Sequence, residues 1–234
     1  MAKKVKKPRR KLFRKEESRY SGDTVLIVCE GEETEPNYLS ALKDSLRLHQ
    51  AAITIVPSSY GSAPKSVVQY AKQRIKDACK EGNPFTKVYC VIDKDKHSTY
   101  LSALSDIRTY KPTKKCATIL CAIPSVPCFE YWILMHFVNS TRSYGTSGSS
   151  PCQHLIASAL RTYLPHYSKT DKVKAKELVE TKLTAAIRNS RMTLQAAKMA
   201  GTDDPSTYMH LLVEELEYLK NNGYFKDERK GCPS

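Results

Sequence analysis

An apolar run that ends in acids offers the clearest chemistry in this chain. Lys87 to His97 reads KVYCVIDKDKH, with Asp93 and Asp95 at its end and His97 two places on. A run of that length, between a Pro-containing loop and a charged stretch, predicts a strand buried on both faces. If the extended backbone persists to Asp95, both aspartates project to one side, because side chains alternate along a strand. Two hard oxygen ligands would then leave a strand's carboxyl end together. Mg²⁺ or Mn²⁺, held by such a pair plus substrate phosphates, suits that arrangement. The competing reading is a charged strand end running out into water. A second apolar run, Thr24 to Cys29 (TVLIVC), ends in Glu30-Gly31. Were the two strands neighbours in a parallel sheet, Glu30, Asp93 and Asp95 would share one crevice. Carboxylates crowded there raise one another's pKa unless a cation compensates, so the trio predicts a divalent metal. Gly31 would let a substrate backbone come close.

The elements that must position these acids follow from periodicity. Thr34 is a candidate N-cap for a helix running to about Leu48, with Tyr38, Leu39, Leu42 and Leu46 on its inner face. Ala52 to Val56 predicts a second strand. Ser62-Ala63-Pro64 opens a helix striped by Val67, Ala71, Ile75 and Ala78, and Gly82-Asn83-Pro84 ends it. Ser98 caps a third helix carrying Leu101, Leu104 and Ile107; Cys116 to Ile123 follows as a strand, then an almost wholly apolar helix from about Cys128 to Phe137. Strands alternating with helices predict an α/β fold: a mostly parallel sheet flanked by helices, with right-handed crossovers. Composition shifts at Asn139. Residues 139–151 are rich in Ser, Thr and Gly and predict a loop, and beyond them the pattern is helical: Leu155 to Leu164, Lys172 to Ala200, and a last helix opening at Pro205-Ser206-Thr207 and stopped by Gly223. The expected organisation is a basic, disordered arm over 1–22, an α/β core over 23–138, and a helical carboxyl-terminal extension over 139–234 packed on that core.

At 234 residues, 41% hydrophobic and 26% charged, the chain has the composition of a soluble globular protein. It holds no apolar run near the ~18 residues that cross a bilayer, and its amino terminus lacks the apolar segment of a secretory signal. A prokaryotic cytoplasm is the expected location. The eight cysteines form no C-x-x-C pair, which excludes a zinc finger; all eight are expected to be free thiols, several of them buried in strands. The net charge of +14 is uneven, with ten Lys/Arg against Glu16 and Glu17 in residues 1–20. Such an arm suits a polyanion such as nucleic acid, with a solubilising or assembly role as the alternative.

Other residues carry weaker signals. Glu130, inside an apolar helix, is either near the metal or a buried partner for a Lys or Arg. His97 is expected to be a polar residue near a helix start, with a ligand role as the second reading. Gly61 to Ser66 (GSAPKS) lacks P-loop spacing, which excludes nucleotide hydrolysis by that route. Lys169 and Lys172 form a basic turn that could touch substrate.

Taken together, the segments resemble a known group. V-C-E-G at 28–31 with I-D-K-D at 92–95 is similar to the Toprim pattern of a strand, Glu-Gly, then Asp-x-Asp after a later strand. IVCEGEETEPNYL (27–39), VIDKDKH (91–97), IPSVPCFEYWILMHF (123–137), YSKTDK (167–172) and DDPSTYMHLLVEEL (203–216) together resemble the RloB-like family. Val126 departs from the polar residue expected before Pro-Cys-Phe-Glu. The resemblance implies a Toprim-like α/β core whose Glu30 is a general acid or base and whose Asp93 and Asp95, with Glu30, bind Mg²⁺ or Mn²⁺. It also implies a nuclease cutting DNA or RNA, tRNA included, as effector of an anti-phage, abortive-infection system with an RloA-type ATPase partner. The alternative is a non-catalytic subunit that binds nucleic acid or that ATPase. The resemblance leaves an oligomer open.

Overall fold

Five consecutive apolar residues leave neither face of Val25–Cys29 suited to water, and in the computed structural model this segment is the fully buried inner strand β1. The structure describes residues 22–50, 52–145, 150–225 and 232. The basic arm therefore lies outside the described residues except for Gly22, as do positions 146–149 of the Ser/Gly-rich loop. Strands β2 (Ile53–Pro57), β3 (Lys87–Asp93) and β4 (Ile119–Val126) run parallel to β1, and a two-residue β5 (Ser206–Thr207) pairs antiparallel with β4. The order is β2-β1-β3-β4-β5. From β1 the chain first crosses to β2 on one side and then returns to β3 on the other. The carboxyl ends of β1 and β3 thus flank the point where strand order reverses, which is where open α/β sheets form their ligand crevice.

Helices cover both faces of the sheet. α1 (Thr34–Ser45), α2 (Pro64–Lys80) and α3 (Tyr100–Arg108) are the crossovers, and α4 (Phe129–Met135) follows β4. α5 (Pro151–Leu155) passes through a π-helical turn, Ile156–Leu160, into α6 (Arg161–Tyr163), followed by α7 (Lys172–Met199) and α8 (Met209–Asn222). Strand alternation divides the core. Val25, Ile27, Tyr89, Val91 and Ile123 face α1, α4, α7 and α8, while Leu26, Val28, Val88, Ile92 and Leu120 face α2 and α3. Every residue of α4 is buried, Glu130 included, as an almost wholly apolar helix requires. No helix among the described residues is long and apolar enough to cross a membrane.

The structure corrects several local expectations. β4 starts at Ile119, because Cys116 is taken into a turn by its paired backbone bonds with Thr113. Ser206 and Thr207 do not open a helix. They add an edge strand, with Thr207 Oγ1 bonded to Ser125 Oγ at 2.8 Å, and α8 starts only at Met209. In α3 the buried stripe is Tyr100, Ala103 and Ile107, leaving Leu101 71% exposed. The cysteines are not all free: Cys79 pairs with Cys116, Cys121 with Cys232 and Cys128 with Cys152, while Cys29 and Cys90 remain thiols. Their Cα atoms lie 5.8, 5.0 and 5.6 Å apart, within disulfide range, although 37, 111 and 24 positions separate them in sequence. Only the tertiary fold creates that proximity.

One buried polar contact ties the helical half to the sheet, and a second ties α1 to the end of α4. Lys87, at the start of β3, is fully buried, bonds Glu215 of α8 at 2.8 Å and lies 4.3 Å from the Phe225 ring centroid. Glu215→Ala removes one partner of a buried pair and should cost about 3 kcal/mol, the lower end of the usual range because the ring contact stays. Urea unfolding of the two proteins measures it; equal midpoints would show that the pair contributes nothing.

His136 accepts the Tyr38 hydroxyl at Nε2 (2.9 Å) and donates from Nδ1 to the Trp132 carbonyl (3.0 Å). Burial lowers its pKa to about 4. Because the folded value lies below the unfolded one of about 6.5, the stabilisation is complete above pH 6.5 and is lost as pH falls toward 4. His136→Phe should erase roughly 3 kcal/mol of that acid-side loss, read as the wild-type minus variant difference in unfolding free energy between pH 7 and pH 4.

Candidate active site

Glu30 is the first residue past β1, and its N–H donates to the Val91 carbonyl (3.2 Å), which fixes it beside the end of β3. Its Oε2 accepts the Asp93 backbone N–H at 3.0 Å, and its Oε1 lies 3.0 Å from His97 Nε2. The two strand ends expected to meet therefore do meet, and His97 is held against Glu30. Burial pushes the Glu30 carboxyl up to about 8; the Asp93 N–H opposes the rise, and the charges of Glu35 and Asp95 add to it.

Asp93 closes β3. Burial pushes its carboxyl well above the usual range, reinforced by Glu35, Glu30 and Glu130 and opposed by the Phe129 N–H at the start of α4. Its Oδ1 is buried and has no hydrogen-bond partner among the described residues. A buried carboxylate oxygen without a partner is costly.

The sequence reading missed Glu35. It sits in the first turn of α1, 5% exposed, and its Oε1 accepts the Gly31 N–H at 3.1 Å. Burial raises its pKa, with the Glu130 charge adding to the effect and Lys169 opposing it. Gly31 has a different use from the one expected: a Cβ there would collide with the Glu35 carboxylate. The bare backbone makes room for an acid of the same chain. A signal existed, since Glu35 precedes Tyr38, Leu39 and Leu42 by three, four and seven residues and so falls on the helix's inner face.

Asp95 departs from the extended geometry. The strand stops at Asp93, and Asp95 has φ 27° in a turn that still follows β4: Lys94 N–H donates to the Ser125 carbonyl (3.0 Å) and Asp95 N–H to that of Pro127 (2.8 Å). The Asp95 carboxylate accepts the Ser150 hydroxyl (2.9 and 3.0 Å) and the Cys152 N–H (3.2 Å), at the start of α5. Ser150 and Cys152 carried no functional signal in sequence.

Glu130, in the first turn of α4 and 1% exposed, takes both roles weighed for it. It neighbours Asp93 and Glu35, and it pairs with Lys169 Nζ at 3.1 Å. Tyr167 donates its hydroxyl to Oε1 (3.2 Å), and Cys152 Sγ lies 3.2 Å from Oε2. Burial alone would lower the Lys169 pKa; Glu130, then Glu35 and Asp93, raise it. Lys169 is thus a counter-charge for the acids, whereas Lys172 is simply the exposed first residue of α7.

Four carboxylates, Glu30, Glu35, Asp93 and Glu130, therefore press on one another at the switch point, with Asp95 at the margin and His97 and Lys169 beside them. All are hard oxygen donors, and the orphaned Asp93 Oδ1 is the atom that most needs a partner. This donor set fits a divalent cation of the Mg²⁺ or Mn²⁺ type. Among the described residues, the tightest grouping of three potential ligand atoms, all within 4.8 Å, is a different one: Cys128, Glu130 and Cys152. Its two sulfurs are bonded to each other, which removes the thiolates a soft-metal site needs. Glu30, Asp93 and Asp95 do not form a grouping that tight.

Comparison with known proteins gives one match. The family model described as RloB-like protein covers residues 25–216, from β1 into α8. No curated protein and no solved structure matches the chain.

Proposed function

Since the chain belongs to the RloB-like protein family, we propose that its acidic crevice is the centre of a divalent-metal-dependent nuclease of Toprim type, cutting DNA or RNA. Asp93 carries the proposal: a carboxylate with one oxygen buried and unpartnered among the described residues, set among three more acids at the sheet's switch point. Asp93 and Glu30 would hold the cation, with Asp95 as the third ligand that the Toprim pattern implies. Bound there, Mg²⁺ or Mn²⁺ supplies charge stabilisation at the scissile phosphate and a water of lowered pKa. Glu30 exchanges the proton, and His97 orients it through Oε1. Lys169 offsets the acids' charge and faces the incoming phosphate. The same reading makes the protein the effector of an anti-phage system, working in a prokaryotic cytoplasm beside an RloA-type ATPase.

Incubating the protein, with and without that ATPase, with duplex DNA, single strands and tRNA in Mg²⁺ or Mn²⁺ tests it. Metal-dependent cleavage is the expected result. Nucleic-acid or ATPase binding without cleavage under every condition would replace the nuclease with the non-catalytic binding subunit.

A further inference from the structure

Beside the acids lies a cavity of ≈230 Å³, bounded by α1, the 164–171 segment and the start of α7. Ile133 and Leu178, both 2% exposed, give it an apolar floor, and Tyr163 and Tyr167 contribute aromatic walls. Tyr163 is 41% exposed, yet its ring is steadied by stacking on Phe137, with centroids 5.2 Å apart. Asn37 adds a side-chain amide, which offers both a donor and an acceptor. Two residues join this cavity to the acids. Tyr167 lines it while donating its hydroxyl to Glu130, and Lys169 lines it while pairing with the same carboxylate.

We propose that this cavity receives one unstacked nucleobase of the strand whose phosphate lies at the acids. The inference rests on the nuclease reading and narrows it to substrates with a single-stranded or extruded nucleotide at the cleavage position. An occupant of the cavity must be covalently continuous with a phosphate at Lys169, flat enough for aromatic walls and polar at one edge for Asn37. A nucleobase meets all three conditions. Aromatic stacking accepts any base, and an amide can select among base edges. A paired duplex cannot deliver a base there without opening.

The test uses single-stranded oligonucleotides, ribo- and deoxyribo- in separate arms, with one 4-thiopyrimidine moved through successive positions. They are irradiated with Asp93→Asn protein, so that the strand stays intact. One position should crosslink to the peptide containing Tyr163 and Tyr167, and the arm that crosslinks identifies the sugar. Tyr163→Ala should weaken binding roughly 5- to 150-fold, the span of one base–aromatic contact. The loss should vanish with an oligonucleotide that is abasic at the crosslinking position. Crosslinks only elsewhere, or equal losses for intact and abasic strands, would overturn the base pocket. Wild-type protein that cuts nothing while its Asp93→Asn form crosslinks there would keep the pocket and remove the hydrolytic reading. Cleavage without that crosslink would do the reverse.

Discussion

Asp93→Asn should yield a protein that has lost cleavage yet, free of metal, is more stable than wild type at pH 8. One carboxylate oxygen is buried with no partner among the described residues, and Glu35, Glu30 and Glu130 press on the group. An isosteric amide removes the charge that this environment opposes. The sign of the pH dependence follows from the raised pKa values. Asp93 and Glu30 hold protons in the folded state that the unfolded chain releases, so stability is full near pH 4 and falls as pH rises, through about 8 for Glu30. The variant's advantage should therefore appear at pH 8 and disappear near pH 4. Millimolar Mg²⁺ or Mn²⁺ should raise the wild-type midpoint and leave the variant nearly unmoved, because ligand that binds only the folded state stabilises it. Thermal unfolding at the two pH values, in EDTA and in metal, reads all of this without an activity assay. A variant less stable than wild type at pH 8, with an unchanged metal response, would remove Asp93 from the site.

The second large effect is on rate, read at saturating Mg²⁺ because Glu30 is also a proposed metal ligand. Glu30→Gln keeps the acceptor oxygen for the Asp93 N–H and removes the group that exchanges a proton. Cleavage should fall roughly 10²–10⁴-fold while binding to a single-stranded oligonucleotide changes little. Single-turnover cleavage beside a binding titration separates the two quantities. Equal rates for wild type and Glu30→Gln would assign Glu30 a structural role at the strand junction.

The sheet was legible because its inner strands are apolar on both faces, and runs such as VLIVC and VYCVI leave little choice. The meeting of Glu30 with Asp93 was legible for the same reason, since adjacent parallel strands bring like ends together. What sequence could not reveal depended on non-local geometry. Asp95 looks equivalent to Asp93 until the strand stops and Ser150, 55 positions away, captures its carboxylate. Lys169 resembles any solvated turn lysine until Glu130 is seen 3.1 Å from it. The disulfides belong to the same class, as does β5, whose two residues pair only because β4 presents a free edge. Glu35 differs: its helical phase was readable, but its place in a Glu-rich run suggested a helix-start charge and hid the inner face.

The pairing of Lys169 with Glu130 bears on whether this molecule can be divided. The acids all come from the α/β core up to α4, whereas the ammonium among them comes from the helical part beyond it, just before α7. Charge compensation in the crevice is thus a property of the joined chain. A fragment ending after α4 would carry its carboxylates without that cation, and would also uncover the sheet face that α7 and α8 protect. The helical half is in effect a resident counterion, set where an incoming divalent cation would have to share its role.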